Sequence, residues 1–318
     1  MPADAAFELG HDDLLTLLPR LGPEWVSSDL LEAAAHVPKA PSYRLHDKLA
    51  VKLTARCCQP PFQDPYVFGR VAAAHALGGL YAEGFQPVVA LALLNLPEMD
   101  VPGRTLQEME AGIARCCCDA KVMLTGVHVE PAARLSCGLL ALGHANPGRL
   151  AHGHRARPGD RLILSKPLGH GIYQGLQANG ALHPHDLREW IALATQPNSP
   201  GPTLYCLAGV SQVLEVGPQG LLGALQSLRQ EHTAICLEGD ALPRMTRVRG
   251  HMAGEAPRAQ NLALLHDPQL NGGLAVLCSA SSVTEVLSLL LQQGFLHAAV
   301  IGRVVPEAAE SADRVRLT

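Results

Sequence analysis

Two adjacent cysteines beside an arginine are the side chains in this sequence best suited to covalent chemistry. Cys57 and Cys58 directly follow Arg56. The thiolate is the nucleophilic and metal-binding form of cysteine, and a neighbouring guanidinium lowers the pKa of a thiol. The pair could therefore serve as a soft ligand or a nucleophile in sulfur or selenium chemistry. The simpler interpretation is that both are free thiols that pack as small hydrophobic groups.

The cysteine pattern as a whole indicates a reducing compartment. The chain has nine cysteines, an odd count, and their spacing matches neither a C-x-x-C pair nor a structural zinc site. The first ten residues lack the basic and apolar regions of a secretory signal, and no apolar run of about 18 residues occurs. These features predict a cytoplasmic protein that does not span a membrane.

The charge balance argues against nucleic acid as a partner. The formal net charge is −4, and basic residues are scattered singly instead of forming runs between aromatic residues.

With 318 residues the chain is long enough for two domains. Because aromatic residues make up only 4% of a chain that is 47% hydrophobic, the core must consist mainly of Ala, Leu and Val.

The elements that would position these residues alternate between helices and strands. Periodicity predicts helices over 11–35, 65–83, 106–120, 171–178, 220–230 and 281–293. It predicts strands over 48–54, 88–96, 121–129, 136–143, 161–165, 234–238 and 298–304.

A Gly-, Pro- and Arg-rich stretch over 152–160 indicates a domain junction. The irregular alternation favours two α/β sandwiches over one doubly wound sheet. We therefore expect an N-terminal segment over 1–45, a first domain over 46–155 and a second domain over 156–318.

Six separated segments resemble the selenophosphate synthetase family (selenide, water dikinases), in that family's order and spacing. The residues that carry the resemblance are DPYVFGR at 64–70, GVH at 126–128, GDRLILSKPLG at 159–169, GLLG at 220–223, DPQLNGGL at 267–274 and IGRV at 301–304.

The resemblance implies an α/β fold shared with aminoimidazole ribonucleotide synthetase. In that fold the N-terminal sheet pairs with a second subunit to form a barrel across a homodimer, and a C-terminal α/β sandwich packs beside it. The ligand, ATP with Mg²⁺, would lie in the groove between the domains. The family reaction transfers phosphoryl groups from ATP to selenide and gives selenophosphate, AMP and phosphate.

The chain departs from the family where that reaction needs carboxylates. Mg²⁺ requires hard oxygen ligands, and the aspartate of the family's T-T-D-F-F segment is replaced by Arg56. The family's N-x-x-S-D reads HALGG over 75–79. The remaining candidate metal ligands are Glu215, Asp47 and Asp64.

The catalytic G-(C/U)-x-C-K loop of the family also lacks a counterpart. Its nearest match is GHDD beginning at Gly10, which contains neither cysteine nor lysine. With that loop missing, Arg56, Cys57 and Cys58 are left as candidate catalytic residues.

Other positions retain residues that could contact phosphate through backbone amides or positive charge. These candidates are Gly69, Arg70, Gly126, His128, Lys166, Asn271, Gly272 and Gly273. For Arg70 and Lys166 a salt bridge at a helix start or domain junction is an equal alternative. The glycines could instead serve turns that need positive φ, and His128 could be a structural histidine.

Three functional hypotheses follow from this mixture. In the first, the protein is an atypical or catalytically impaired member that binds an anion, a nucleotide or a selenium or sulfur metabolite, or regulates a partner. In the second, it is an active selenide, water dikinase with an altered metal site, in which Arg56 replaces one Mg²⁺. In the third, it phosphorylates a different acceptor within the wider superfamily. The loss of metal ligands favours the first.

Overall fold

The computed structural model describes residues 30–31, 42–97, 101–150, 156–226, 228, 233–251, 256–306 and 315–318. The strands are β1 Leu30–Leu31, β2 Ser42–His46, β3 Leu49–Cys58, β4 Gln86–Leu96, β5 Met123–Pro131, β6 Ser136–Ala145, β7 Arg161–Leu164, β8 Val210–Glu215, β9 Thr233–Leu237, β10 Leu274–Cys278, β11 Ala299–Pro306 and β12 Val315–Leu317. The helices are α1 Pro65–Ala82, α2 Gly103–Asp119, α3 Pro147–Leu150, α4 His170–Ala178, α5 Pro184–Thr195, α6 Gly201–Leu204, α7 Gly220–Gln226, α8 Val248–His251, α9 Pro257–His266 and α10 Val283–Gln292.

The strands form two mixed sheets of six strands each, with the orders β1-β2-β3-β6-β4-β5 and β12-β9-β11-β7-β10-β8. Neighbouring strands are antiparallel except for the pairs β4–β5 and β9–β12. Helix α2 provides the crossover between β4 and β5, as a parallel pair requires. The expected mixed α/β architecture with two sheets is confirmed.

Helix α1 is the central element of the fold. Its start is fixed by Asp64, whose side chain accepts a hydrogen bond from the backbone N–H of Val67, and by a proline at position 65 in the first turn. It ends before Gly84, where φ is +81° and the chain turns into β4. From Phe68 to Ala82 most of its residues are buried. The first sheet, α2 and elements of the second half of the chain, which we define as the residues after 155, all pack on it. The small residues on this helix allow that close packing.

The two sheets differ in how their faces are covered. The second sheet buries residues on both faces, with Leu277 in one hydrophobic cluster and Val276 in another. The first sheet packs one face against α1 and α2. On its other face, a row of apolar residues crosses four strands in register: Leu53, Leu142, Val89 and Met123. Leu53 is 55% exposed and Met123 is 67% exposed.

Most predicted elements are confirmed within a few residues, and the differences are informative. The helix predicted over 11–35 lies outside the described residues except for Leu30–Leu31, which form a strand pairing with β2, so that part of the prediction is wrong. The structure adds β2, β8, β10, β12, α5 and α9, which were not predicted. The proposed three-part domain division stays a prediction. Among the described residues, no helix combines the length and apolarity needed to cross a membrane.

Candidate functional site

The predicted site residues Arg56 and Glu215 meet at the boundary between the two halves. Arg56 lies on the helix-packed face of β3, and Glu215 ends β8 in the second sheet. Arg56 Nη1 donates a hydrogen bond to Glu215 Oε2 at 2.5 Å. Burial opposes the charge of Arg56, but the adjacent Glu215 carboxylate raises the pKa of Arg56 above its ordinary value. The two side chains therefore form a charged link between β3 and β8.

Two glycines of α1 make room for this ion pair. A Cβ atom at Gly78 would lie 2.3 Å from Glu215 Oε1, and a Cβ atom at Gly79 would lie 2.7 Å from Arg56 Nη2. In the resemblance described above, these two positions correspond to the polar pair of the family's N-x-x-S-D segment. Without a side chain at either position, the carboxylate of Glu215 and the guanidinium of Arg56 can approach α1 closely.

Residues on the second half complete the surroundings of the ion pair. Asn198 Nδ2 donates to Gly272 O at 2.9 Å, and the backbone N–H of Asn271 donates to His75 Nδ1 at 3.4 Å. Burial lowers the pKa of His75, although Glu215 opposes this effect. A neutral imidazole is the form that accepts the Asn271 hydrogen bond. Among the described residues, Glu215 Oε1 and Asn198 Oδ1 are buried acceptors without a donor.

Lys166 is inside the second half and holds backbone segments together. Its Nζ donates to Gln196 O at 2.7 Å, Asn271 O at 3.0 Å and Leu193 O at 3.2 Å. Burial lowers the pKa of Lys166 to about 7, with the nearby Glu215 opposing the shift. Because a neutral amine donates only two hydrogens, three acceptors indicate the ammonium form. In this conformation all three donors are used by backbone carbonyl groups. No carboxylate among the described residues pairs with Lys166, so the salt bridge given as the alternative is not seen, and its contact with phosphate stays a prediction.

The segment that contains Asn271 is also tied to the start of α4. Asp267 accepts from the backbone N–H groups of Gly171 and Ile172, and burial raises its pKa to about 6. His170 Nδ1 lies 2.9 Å from Leu270 O, and burial together with Lys166 lowers the pKa of His170 to about 3. These contacts fix the conformation of the DPQLNGG segment.

Of the glycines predicted to bind phosphate, Gly69, Gly272 and Gly273 lie where close packing leaves no room for a side chain, whereas a Cβ atom at Gly126 would have only an ordinary contact of 3.7 Å with Leu91 Cδ1. Positive φ occurs at Asn271, at +50°, but not at Gly69, Gly126, Gly272 or Gly273. A Cβ atom at Gly69 would lie 2.1 Å from Met109 O of α2, and one at Gly272 would lie 2.2 Å from Val216 O. The explanation of these glycines by turn geometry is therefore wrong.

The remaining phosphate candidates are separate from the ion pair. Gly126 and His128 lie on the edge strand β5, and His128 Nε2 is 2.7 Å from Glu130 Oε1 in an exposed position. Arg70 Nη2 lies 4.0 Å from Asp119 Oδ2, an arrangement that matches the salt-bridge alternative. Their part in phosphate binding stays a prediction.

The cysteines do not have the lowered pKa that their sequence position predicted. Cys57 and Cys58 point to opposite faces of β3, as consecutive residues of a strand must. Burial raises the pKa of Cys57, and it raises the pKa of Cys58 to about 12. Both are protonated thiols near neutral pH, because desolvation disfavours the thiolate and Arg56 is occupied by Glu215.

The three carboxylates suggested as metal ligands do not form one cluster in the described part of the chain, and metal binding by any of them stays a prediction. Glu215 binds Arg56, and Asp64 caps α1. Asp47 lies in the turn between β2 and β3, and the nine residues to Arg56 span roughly 30 Å of extended strand. Within the described part of the chain, no cluster of three or more His, Cys, Asp or Glu side chains could hold a metal ion. The cation at the centre of the site is the guanidinium of Arg56.

The sequence did not reveal Asn198, His75 or Tyr205 as parts of this boundary. Tyr205 donates its hydroxyl to Ala82 O across the two halves at 3.1 Å. Asn198 and Tyr205 lie in or next to a Pro- and Gly-rich stretch over 196–203, to which the sequence analysis assigned no role. The available signal that the site is altered was the loss of a carboxylate at Arg56 and of a polar pair at Gly78 and Gly79.

Comparison with known proteins gives consistent results. Residues 37–145 match the family model described as AIR synthase related protein, N-terminal domain. The chain is 34% identical to selenide, water dikinase of Burkholderia pseudomallei, covering 93% of this chain and 90% of that protein, and 35% identical to the Dechloromonas aromatica protein of the same name, covering 82% of each.

Solved structures with the same fold are more distant in sequence. Thiamine-monophosphate kinase from Stenotrophomonas maltophilia has a TM-score of 0.70 at 20% identity, with 91% of each chain covered. The hydrogenase maturation protein HypE in complex with ATP has a TM-score of 0.65 at 19% identity, covering 87% of this chain and 84% of that one. At these identities the structures establish the fold.

Proposed function

Since the chain belongs to the selenide, water dikinase family, we propose that it is an atypical member in which an internal ion pair takes the place of the catalytic metal. It keeps the family scaffold and binds an anion, a nucleotide or a selenium or sulfur metabolite, or regulates a partner. It does not carry out Mg²⁺-dependent phosphorylation of selenide.

The observation that carries this proposal is the bond between Arg56 and Glu215. Phosphoryl transfer depends on metal ions that neutralise the charge on the phosphates. A guanidinium cannot ligate a metal, and it repels one at short range. Here it lies 2.5 Å from the carboxylate that would otherwise serve as a ligand. The glycines at 78 and 79 support the same conclusion, because they remove polar side chains from the position that the ion pair fills.

We also propose that the exposed face of the first sheet binds a second copy of the chain. The row Leu53, Leu142, Val89 and Met123 is apolar, continuous across four strands and partly exposed. Exposed apolar patches of this kind are typical of interfaces between proteins. Joining two such faces would close the barrel expected for this fold.

A second candidate function is an active phosphotransferase with an altered site. It is favoured by one observation: among the described residues, Glu215 Oε1 has no donor and leaves one carboxylate oxygen for a metal. In that case Arg56 would stabilise charge on the transferred phosphate.

Phosphorus NMR distinguishes the two candidates. The purified protein is incubated anaerobically with ATP, Mg²⁺ and selenide, beside an active relative as a positive control. We expect the ATP resonances to stay unchanged while the control forms AMP, phosphate and selenophosphate. Formation of these products by the wild-type chain, and their loss in Arg56→Ala, would overturn the proposal.

A matched binding experiment tests whether the site uses a metal. Calorimetric titration of ATP is carried out with Mg²⁺ and with EDTA. We expect any ATP affinity to be the same in both conditions, because Arg56 already supplies the positive charge. An affinity that rises with Mg²⁺ only when Glu215 is intact would support the active candidate.

A further inference from the structure

A cavity of about 330 Å³ opens at the opposite end of β3 from Arg56. It lies where the starts of β3 and β4 and the end of β6 approach α6 of the second half. Eight residues separate Lys48, in the cavity wall, from Arg56, which corresponds to roughly 26 Å of extended strand. The cavity is therefore distinct from the ion-paired site.

The polar side chains that line this cavity are basic or can donate hydrogen bonds, and Ala145 and Pro202 complete the lining. Lys48, Arg149 and His144 line it together with the amides of Gln86 and Asn146. Within the described part of the chain, none of the lining residues is acidic. With histidine neutral, Lys48 and Arg149 give the cavity a charge of +2, whereas the whole chain carries −4. Local charge opposite in sign to the net charge favours an anionic ligand.

Arg149 has no carboxylate partner among the described residues, in contrast to several other arginines. Its Nη1 donates to Cys206 Sγ at 3.3 Å, and a thiol sulfur is a weak acceptor. Across the described ranges, no carboxylate is within salt-bridge distance of Arg149 or Lys48, while carboxylates pair with Arg56, Arg104, Arg115 and Arg247. A guanidinium that faces a cavity without a strong acceptor can bind an anion with two parallel hydrogen bonds.

The wall of the cavity is held by contacts that do not depend on a ligand. Tyr205 donates its hydroxyl to Ala82 O at 3.1 Å. Its ring lies against Gly84, where a Cβ atom would be only 2.8 Å from Tyr205 Cδ2. The nearby carboxylate of Glu83 is paired with Lys52, so it does not cancel the charge of the cavity. This part of the wall is thus formed before a ligand arrives, which lowers the cost of binding. Lys48 and Arg149 themselves are exposed side chains.

We propose that this cavity binds a phosphate dianion, either free or as the phosphate group of a small metabolite, through Arg149 and Lys48. A phosphate oxygen pair matches the planar guanidinium, and the ammonium supplies a second positive charge. The volume is enough for a phosphate with a few attached carbon atoms. This inference does not depend on whether the chain phosphorylates selenide.

The test is a calorimetric titration of the full chain with inorganic phosphate and with glycerol 3-phosphate, at constant ionic strength set with sodium chloride. Arg149→Ala and Lys48→Ala should each weaken binding by at least about tenfold, the effect of losing one charge-assisted contact. Arg149→Lys should keep part of the affinity. The control Arg104→Ala removes an exposed arginine outside the cavity and should leave binding unchanged.

Each outcome decides the proposal. Tighter binding of the ester than of inorganic phosphate identifies a metabolite site, and equal binding identifies a site for free phosphate. The proposal is overturned if the wild-type chain takes up neither compound at about 1 mM, or if Arg149→Ala binds as the wild type does. It is also overturned if Arg104→Ala weakens binding as much as Arg149→Ala, since the effect would then be non-specific. Circular dichroism confirms that each variant is folded.

Discussion

The two sheets of this molecule have the same number of strands but different surroundings. In the second sheet β10 is buried along its whole length, because helices and loops cover both faces. In the first sheet β3 alternates between buried and exposed residues, although Leu53 on its open face is as apolar as the residues of β10. The open face is therefore apolar in composition, unlike a face made for solvent. None of the described elements forms a covering layer over it.

The largest expected effect is a difference in stability loss when a leucine is truncated on the covered sheet and on the open face of the first sheet. Leu277→Ala on β10 should lower the free energy of unfolding by about 3 kcal/mol, because it leaves a cavity between two packed layers. Leu53→Ala should cost less than about 1 kcal/mol in the monomer, where the side chain is already half exposed. Urea unfolding at low protein concentration measures both. Equal losses would mean that the two faces are equally covered.

The second prediction concerns the open face itself. Leu53→Asp should weaken self-association by about 100-fold, because it places a charge within an apolar interface. Light scattering coupled to gel filtration across a concentration series measures the change. Thr125→Asp, a polar replacement on the edge strand β5, provides a comparison at the border of the face. If Leu53→Asp associates as the wild type does, the open face is not the interface.

The third prediction concerns the pH dependence of stability, and it distinguishes a buried histidine from an exposed one. His170 has a pKa of about 3 in the folded chain, below the ordinary 6.5. Between these values the unfolded chain binds a proton that the folded chain does not, so stability falls as the pH falls through this window. At pH 5 the loss relative to pH 8 should be about 2 kcal/mol.

Replacement variants isolate this effect. His170→Gln should remove that part of the pH dependence, whereas His128→Gln, at an exposed position on β5, should leave it unchanged. Asp267 acts in the opposite sense: its pKa is raised to about 6, so its contribution is present below its ordinary 3.8 and is lost as the pH rises through 6. The difference between wild type and His170→Gln at each pH is therefore the informative quantity. If the wild type and His170→Gln had parallel pH profiles of stability, this part of the pH dependence would not come from His170.

The smallest expected effect concerns the link between the sheets. Arg56→Ala should lower the free energy of unfolding by about 1–2 kcal/mol, since it leaves the Glu215 carboxylate without its partner. The value is below that of a fully buried pair because the Arg56 side chain is 37% exposed. The double variant Arg56→Ala with Glu215→Gln should recover part of the loss. No recovery would show that Arg56 acts through packing instead of charge.

Much of the fold could be predicted from the sequence, and the site could be predicted only in outline. Helix α1 and strands β4 and β6 have strong local signals, so their bounds were close. Strand β10 was missed because a continuous apolar run of five residues lacks a period that distinguishes strand from helix. Strand β8 was missed because its sequence, VSQVLE, does not alternate regularly between apolar and polar residues. Helix α5, which begins at Pro184, was also not predicted.

The chemistry of the site depended on contacts that sequence spacing does not show. Arg56 was identified as a charge reversal, but its partner Glu215 is 159 residues away and was interpreted as a metal ligand. Cys57 and Cys58 were expected to be activated by Arg56. Burial raises the pKa of both thiols instead, and burial depends on the packed structure. Lys166 looked like a phosphate contact, and only the fold reveals the three carbonyl groups around it.

The shared position of α1 has a consequence for how the chain folds and is cleared when damaged. Phe68 belongs to the core of the first sheet, Val71 to one core of the second half and Ala82 to the other. A single helix thus forms a wall of all three cores, and neither half can lose its structure without exposing apolar surface of this helix. We expect the halves to melt together in one cooperative transition, and a chain cut at the 151–155 connection to be a poor candidate for producing either half alone. A protease or chaperone that recognises exposed apolar surface would therefore act on both halves together.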